Sequence, residues 1–453
     1  MKTILVIGAG RSASTLLNYL LKKSLSDSFH LIVMDKSQEM LERKTKGEGT
    51  PTLVVGDALD ADFRAPYLQK ADVIISMLPA HLHFDIVNDA VNLGKQIITP
   101  SYISDKVKAL HETALKNGSL VLCEMGLDPG IDHMSAKKIL DEIKADGYEM
   151  DCFESFCGGL VAPESDNNPW GYKFTWNPRN VVLAGSAGTV KFIQENQYKY
   201  IPYHKLFRRT EKIEIPEYGT FEGYANRDSL SYREAYDLEN IPTIFRGTLR
   251  SKGFCKSWDL FVQLGATDDS YVIEDSEHMT NRTFINAFLP YSPTDSVELK
   301  FQHFLGLPQD DERFEKMQWL GIFSDEMVGL KGATPAQILQ QILEKKWSLD
   351  PEDKDMIVMW HKFVYFKNGK YKERHSSMVL VGEIGDHTAM AQTVGLPLGI
   401  AAIQILKGAF TKKGVCLPLD PEIYNPVLDE LEEHGITFQE QEVKPHLYRD
   451  SKY

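Results

Sequence analysis

Two sets of residues in this chain have types and spacings that could do chemistry. The first opens it: the apolar run Thr3-Ile4-Leu5-Val6-Ile7 passes directly into Gly8-Ala9-Gly10-Arg11-Ser12-Ala13 and a helical stretch. Gly8 permits a tight turn, Gly10 lets backbone approach a pyrophosphate, and Ala13 keeps helix and strand close. Phosphate would rest on the helix N-terminus at Arg11 and Ser12. A second strand, His30 to Met34, ends at Asp35, where a carboxylate hydrogen-bonds ribose hydroxyls and repels a 2′-phosphate. The pattern reads as a nicotinamide dinucleotide site that favours NAD, with Lys36 leaving NADP open.

The second set is Gly126-Leu127-Asp128-Pro129-Gly130-Ile131-Asp132-His133, followed by the runs 157–164 and 168–176. Glycine and proline at this density shape backbone around a site. Asp128 falls just beyond the last strand of the dinucleotide unit, where a carboxylate reaches both nicotinamide and substrate. Asp132 reads instead as a helix cap. Asp132 and His133 make no metal signature, because no further ligands recur at recognisable spacing, and no metal is expected.

The elements that must position these residues alternate between strand and helix. After Asp35 come Leu53 to Asp57, Val73 to Pro79, Gln96 to Thr99 and Leu120 to Cys123. Continuous apolar strands between helices indicate a parallel sheet, whose ligands bind outside the carboxyl ends of the strands. Asp57, Ser76, Leu78, Pro79, Ser101 and Tyr102 occupy those ends, with Leu127, Asp128 and Pro129 after the last one, and are expected to surround the cofactor.

From about Cys152 the pattern changes to longer aromatic and β-branched runs, read as strands at Val181 to Ala184, Lys212 to Ile215, Thr243 to Leu249 and Trp258 to Leu264. Helical periods at Asp311 to Trp319 and Thr334 to Lys346 suggest a small insert, with Thr334-Pro335 a fair helix start. Strand character returns at Met356 to Phe366 and Ser377 to Glu383. A long apolar helix follows from Ala389 to Leu406, which Pro397 should split or kink. The charged tail, Gln439 to Tyr453, is expected to be partly disordered. The fold class is therefore α/β: an N-terminal Rossmann doubly wound parallel sheet (1–125), a mixed α/β substrate domain (126–385) with a small helical insert at about 306–350, and C-terminal helices (386–453) rejoining the first domain.

At 453 residues the chain is long enough for two or three cores. Its formal net charge of -14, with no lysine or arginine cluster, argues against nucleic acid or an acidic membrane surface as partner. The apolar run at the start is too short for a signal peptide, and no uninterrupted apolar stretch suggests a membrane span. The 5 cysteines form no CxxC pair, which fits free thiols in a reducing, cytoplasmic setting.

The runs GLDPGIDHMSA at 126–136, CGGLVAPE at 157–164 and NPWGYKFTWNPR at 168–179 resemble the saccharopine reductase family, the glutamate-forming saccharopine dehydrogenases. The likeness spans nearly the whole chain and extends to 223–229, 245–250, 385–391 and 394–397. The resemblance implies reversible reductive condensation of L-glutamate with 2-aminoadipate 6-semialdehyde to saccharopine, with NAD or NADP carrying hydride, in an interdomain cleft of a homodimer. It places substrate near Ser101, Tyr102, Asp128, Arg227 and the strand Thr248 to Arg250. Arg227 and Arg250 suit bidentate binding of a tricarboxylate, with Lys173 and Arg179 as second-rank candidates. Tyr102, Asp128 and Cys157 are the candidates for proton transfer at the carbinolamine. Eukaryotic members commonly use NADPH and carry an arginine where this chain has Met34-Asp35-Lys36-Ser37. The competing readings are a carboxynorspermidine synthase-like imine reductase, with a more cationic substrate, and a non-catalytic nicotinamide-binding scaffold.

Overall fold

The apolar runs that open the chain become six strands of a seven-stranded sheet. In the computed structural model, which describes residues 1–47, 49–186 and 188–445, these are β1 (Thr3–Ile7), β2 (His30–Asp35), β3 (Thr52–Val55), β4 (Val73–Ser76), β5 (Gln96–Ile98) and β6 (Leu120–Leu122). A short strand at Gly414–Cys416, which the sequence reading missed, adds to β6. The order is Gly414–Cys416, β6, β5, β4, β1, β2, β3, and every pairing is parallel. Strand order therefore reverses between β1 and β4, the switch point where such sheets bind ligands. Leu5, Ile7, Ile74, Ile97 and Val121 are fully buried on one face of the sheet and Ile4, Val6, Ile75 and Ile98 on the other, the burial on both faces that continuous apolar strands require.

The chain divides into two compact units. The first holds Met1–Glu149 and Met378–Gln439; the second holds Met150–Ser377 and the segment from Glu440. In the first, Ala389–Lys407 is one helix with Pro397 inside it, so of the expected split or kink the split does not occur. Packing explains its persistence. A Cβ on Gly395 would lie 2.8 Å from the Leu16 amide nitrogen, and one on Gly399 would lie 2.6 Å from the Tyr19 ring, so the helix Ser14–Ser26 presses directly on it. This helix is long and apolar enough to cross a membrane by length and composition, yet 78% of its apolar window is buried inside the protein.

The second unit is built on a larger mixed sheet. Its strands are β7 (Glu149–Val161), β8 (Val190–Gln194), β9 (Gln197–Ile201), β10 (Thr210–Ile215), β11 (Gly219–Ala225), β12 (Thr243–Ser251), β13 (Asp355–Lys367) and β14 (Lys370–Val381). The order is β10, β11, β12, β7, β13, β14 and the strand Gln439–Val443, with β8 pairing β12 and β9. That last strand lies in the tail expected to be partly disordered; residues 446–453 of the tail are outside the described residues.

Two expected strands are helices. Val181 and Val182, the first half of Val181 to Ala184, end the helix Pro178–Val182, which Asn177 caps through the Arg179 amide with Pro178 at its first position, and Leu183 and Ala184 follow as a turn. Trp258 to Leu264 belongs to the helix Phe254–Leu264, where Phe254, Trp258 and Phe261 recur at helical spacing, Phe254 stacked on Trp258 and Trp258 edge-to-face with Phe261, with ring centroids 5.8 and 5.6 Å apart. The helices expected near Asp311 and Thr334 run over Glu312–Leu320 and Pro335–Trp347, the second started by a reciprocal Thr334–Gln337 capping box.

Candidate active site

The glycine turn sits at the carboxyl end of β1, against β4. Gly8 has φ +102, and a Cβ there would lie 3.3 Å from the Met77 backbone. Only glycine holds that turn without strain. A Cβ on Gly10 would meet nothing within 4 Å, so the outer side of the turn is open. Beyond it Arg11–Ala13 form a 3-10 turn leading into the helix Ser14–Ser26, whose first amides have no preceding acceptor within the helix. The open turn and those donors fit the pyrophosphate of a dinucleotide.

Asp35 has two backbone partners. Its Oδ2 accepts from the Ala9 amide at 2.7 Å and its Oδ1 from the Ser37 amide at 2.9 Å. The carboxylate thus braces the glycine turn and starts the next helix, its charge already shared with two amides. Beside it Lys36 pairs with Asp57 at 3.0 Å; the Leu59 amide first and this lysine second hold the exposed Asp57 carboxyl below its usual range.

At the ends of β4 and β5 a histidine absent from the sequence reading links two expected residues. His83 Nδ1 lies 2.9 Å from Ser76 Oγ and its Nε2 lies 2.9 Å from Ser101 Oγ. Burial, with a smaller contribution from His81, pulls its pKa down to about 4. The imidazole is therefore neutral near pH 7, and with one N–H it makes one serine a donor and the other an acceptor. His83 lies seven residues past the end of β4, at a spacing that no sequence motif marks.

Next to Ser101, Tyr102 Oη donates to Asp128 Oδ1 at 2.8 Å. Asp128 stands on a loop closed by the Gly126 amide on Pro129 O at 2.9 Å, and the Asp128–Pro129 peptide is cis. Asp132 is in the first turn of the helix Ile131–Ala145, where its Oδ1 accepts from the Gly130 amide at 2.6 Å. The structure thus unites Ser76, Ser101, Tyr102 and Asp128 in the first unit, with Leu78, Pro79, Leu127 and Pro129 on the same loops.

In the second unit the remaining candidates divide. Cys157 on β7 is level with Thr248 on β12, and Tyr224 on β11 is level with Thr248 from the other side. Arg250, two residues on along β12, shares their face of the sheet. Its guanidinium is buried and lies 5.1, 5.8 and 5.5 Å from the ring centroids of Tyr172, Tyr224 and Phe254. Its Nη1 donates to Leu249 O at 2.9 Å, while Nε has no partner. Tyr172 Oη beside it is likewise buried without a partner, and burial pushes that phenol up to about 12. A buried guanidinium with aromatic neighbours and an open donor is an arrangement that binds a carboxylate.

Arg227 does not join it. It is exposed, in the loop after β11, where the neighbouring Asn226 amide bonds Arg246 O. Arg246 is four residues, roughly 13 Å, along the strand from Arg250. The second-rank candidates are held elsewhere: Lys173 pairs with buried Asp353, and Arg179 with Asp269.

Comparison with known proteins decides the lineage. Residues 4–122 match the saccharopine dehydrogenase NADP binding domain, and residues 126–436 match the saccharopine dehydrogenase C-terminal domain. The chain belongs to the saccharopine dehydrogenase family. Among its saccharopine dehydrogenase relatives, the NADP(+)-dependent, L-glutamate-forming protein of Schizosaccharomyces pombe is 31% identical over 97% of this chain and 99% of its own. The mitochondrial alpha-aminoadipic semialdehyde synthase of Rattus norvegicus is also 31% identical over 97% of this chain, which spans 48% of that longer protein. The solved apo saccharopine dehydrogenase (L-Glu forming) of Saccharomyces cerevisiae superposes with a TM-score of 0.87 at 29% identity, covering 98% of this chain and 100% of the other. The preference for NAD drawn from Asp35 has no support here: the carboxylate is committed to the Ala9 and Ser37 amides, and the matching saccharopine dehydrogenase domain is one that binds NADP.

Proposed function

We propose that this chain interconverts saccharopine with L-glutamate and 2-aminoadipate 6-semialdehyde, using NADP(H). The observation that carries the reading is Arg250, a buried cation with an open donor inside a protein of net negative charge. Such a group favours an anionic substrate. The exposed Arg227, far along the sheet from Arg250, suits a long molecule with carboxylates at both ends. Lys36, whose partner Asp57 is exposed, supplies a cation at the end of β2 for a 2′-phosphate.

The glycine turn Gly8–Gly10 and the amides that follow it would hold the dinucleotide, which would supply a reversible hydride acceptor for the C–N carbon of saccharopine. The chain's own groups handle the protons. Oxidation leaves an imine, one water adds to give a carbinolamine, and its collapse releases amine and aldehyde. Tyr102 and Asp128, joined through Oη and Oδ1, can pass a proton to the departing nitrogen and take one from the added water. Cys157, beside Thr248, is the third group in this assignment. Positioning of amine, aldehyde and hydride carrier supplies much of the remaining rate. The assignment includes a homodimer, which sedimentation of the purified chain tests.

Mass spectrometry of a reaction holding protein, L-glutamate, the semialdehyde and NADPH tests the function. A product of the mass of saccharopine is expected, formed in step with NADPH consumed. Cofactor binding with no such product would leave only a binding role.

A further inference from the structure

Glu124 is the least expected residue in the first unit. It follows β6 with φ +56, a left-handed conformation that is strained for a non-glycine residue and persists only where the surroundings compel it. Its side chain is 1% exposed, and it bridges three places at once. The Glu124 amide donates to Ser101 O at 3.2 Å, and its Oε1 accepts from the Ile103 amide at 2.9 Å. The two contacts bracket Tyr102 from either side. Its Oε2 lies 2.8 Å from Nε2 of His133, which is fully buried on the helix Ile131–Ala145.

The third contact matters for Asp128. Residues 124 and 133 are the two ends of the loop that carries it, so the Glu124–His133 hydrogen bond closes that loop. One carboxylate therefore fixes the peptide that bears Tyr102 and the loop that bears Asp128. His83 adds a grip on Ser101 Oγ from the opposite direction. The left-handed backbone at residue 124 lets its amide and carboxylate reach Ser101 and Ile103 together, which gives the strain a purpose.

We infer that Glu124, held by His133, is a positioning residue that sets the Tyr102–Asp128 pair for proton transfer. This rests on the proposed role of that pair. A carboxylate shortened by one methylene cannot span from the Ile103 amide to His133, whereas an amide of equal length can.

The test is a double-mutant cycle on the full chain, reading kcat and KM for saccharopine and NADP. Glu124→Asp is expected to lower kcat by about tenfold or more, with both KM values within about threefold of wild type, since small misplacements of reacting groups act on the chemical step. Glu124→Gln is expected to stay within about threefold of wild type. In a Tyr102→Phe background Glu124→Asp should cost less than about twofold, because residues acting through one another are not additive. Equal losses in both backgrounds, or full activity of Glu124→Asp, would overturn the inference. Full kcat in Tyr102→Phe alone would overturn the reading of the Tyr102–Asp128 pair itself, and the positioning role with it. If Glu124→Asp does not fold, His133→Gln takes its place in the cycle, with the same outcomes.

Discussion

Replacing Arg250 by methionine should separate stability from function. Burying a lone cation costs several kcal/mol. Three aromatic rings within 5.8 Å return about 1 kcal/mol each, and the hydrogen bond to Leu249 O returns about 2 kcal/mol more. These contributions nearly cancel. Loss of Arg250 strands no acidic partner among the described residues, where no carboxylate is paired with it, and methionine fills much of its volume. The variant should therefore unfold in urea within about 2 kcal/mol of wild type. Binding should respond quite differently. A substrate carboxylate deprived of a buried charged partner loses about 2–5 kcal/mol, which is roughly 30-fold to roughly 4,000-fold in kcat/KM for saccharopine. The KM for NADP should stay near wild type. Steady-state kinetics beside urea denaturation reads both numbers. A variant that loses more than about 3 kcal/mol of stability while keeping kcat/KM would show the guanidinium to be a structural prop among aromatic rings, and would refute the argument.

Lys173→Met is the contrasting case: it leaves Asp353 buried and without its ammonium partner, so urea denaturation should show a loss of about 3–5 kcal/mol while KM for saccharopine is unchanged in the folded enzyme. His83 gives a pH signature. Burial holds its folded pKa at about 4, below the ordinary histidine value of about 6.5, so the unfolded chain binds a proton that the folded chain refuses, and stability falls as pH drops from about 6.5 to about 4. The loss is about 3 kcal/mol by linkage and should be missing from the difference curve of His83→Gln. Lys36→Ala should raise KM for NADP about tenfold with little effect on KM for NAD, as loss of a phosphate contact would; an equal rise for both would remove Lys36 from 2′-phosphate recognition.

How much was legible follows from how local each signal is. The glycine turn and the first six parallel strands could be read because burial on both faces forces continuous apolar runs, as in β1 and β4. The strand Gly414–Cys416 is only three residues and is defined by its partner β6, almost 300 residues away in sequence, so no local pattern announces it. Trp258 to Leu264 misled because a short aromatic run fits strand and buried helix alike, and Phe254 beyond its start was needed to see the helical spacing. The same limit applied at the site. Asp128, Tyr102 and Arg250 lay in distinctive motifs. His83 and Glu124 act through contacts to residues 18 and 21 positions away, which spacing does not reveal. Asp35 was located correctly, but its hydrogen bond to Ala9 depends on how two strand ends meet.

The most direct test of the account is the initial rate at the reduced-nicotinamide absorbance band, with purified protein, saccharopine, and NADP or NAD supplied separately. The account predicts reduction that requires saccharopine and runs faster with NADP. No reduction with either cofactor, from protein that binds NADPH, would contradict it.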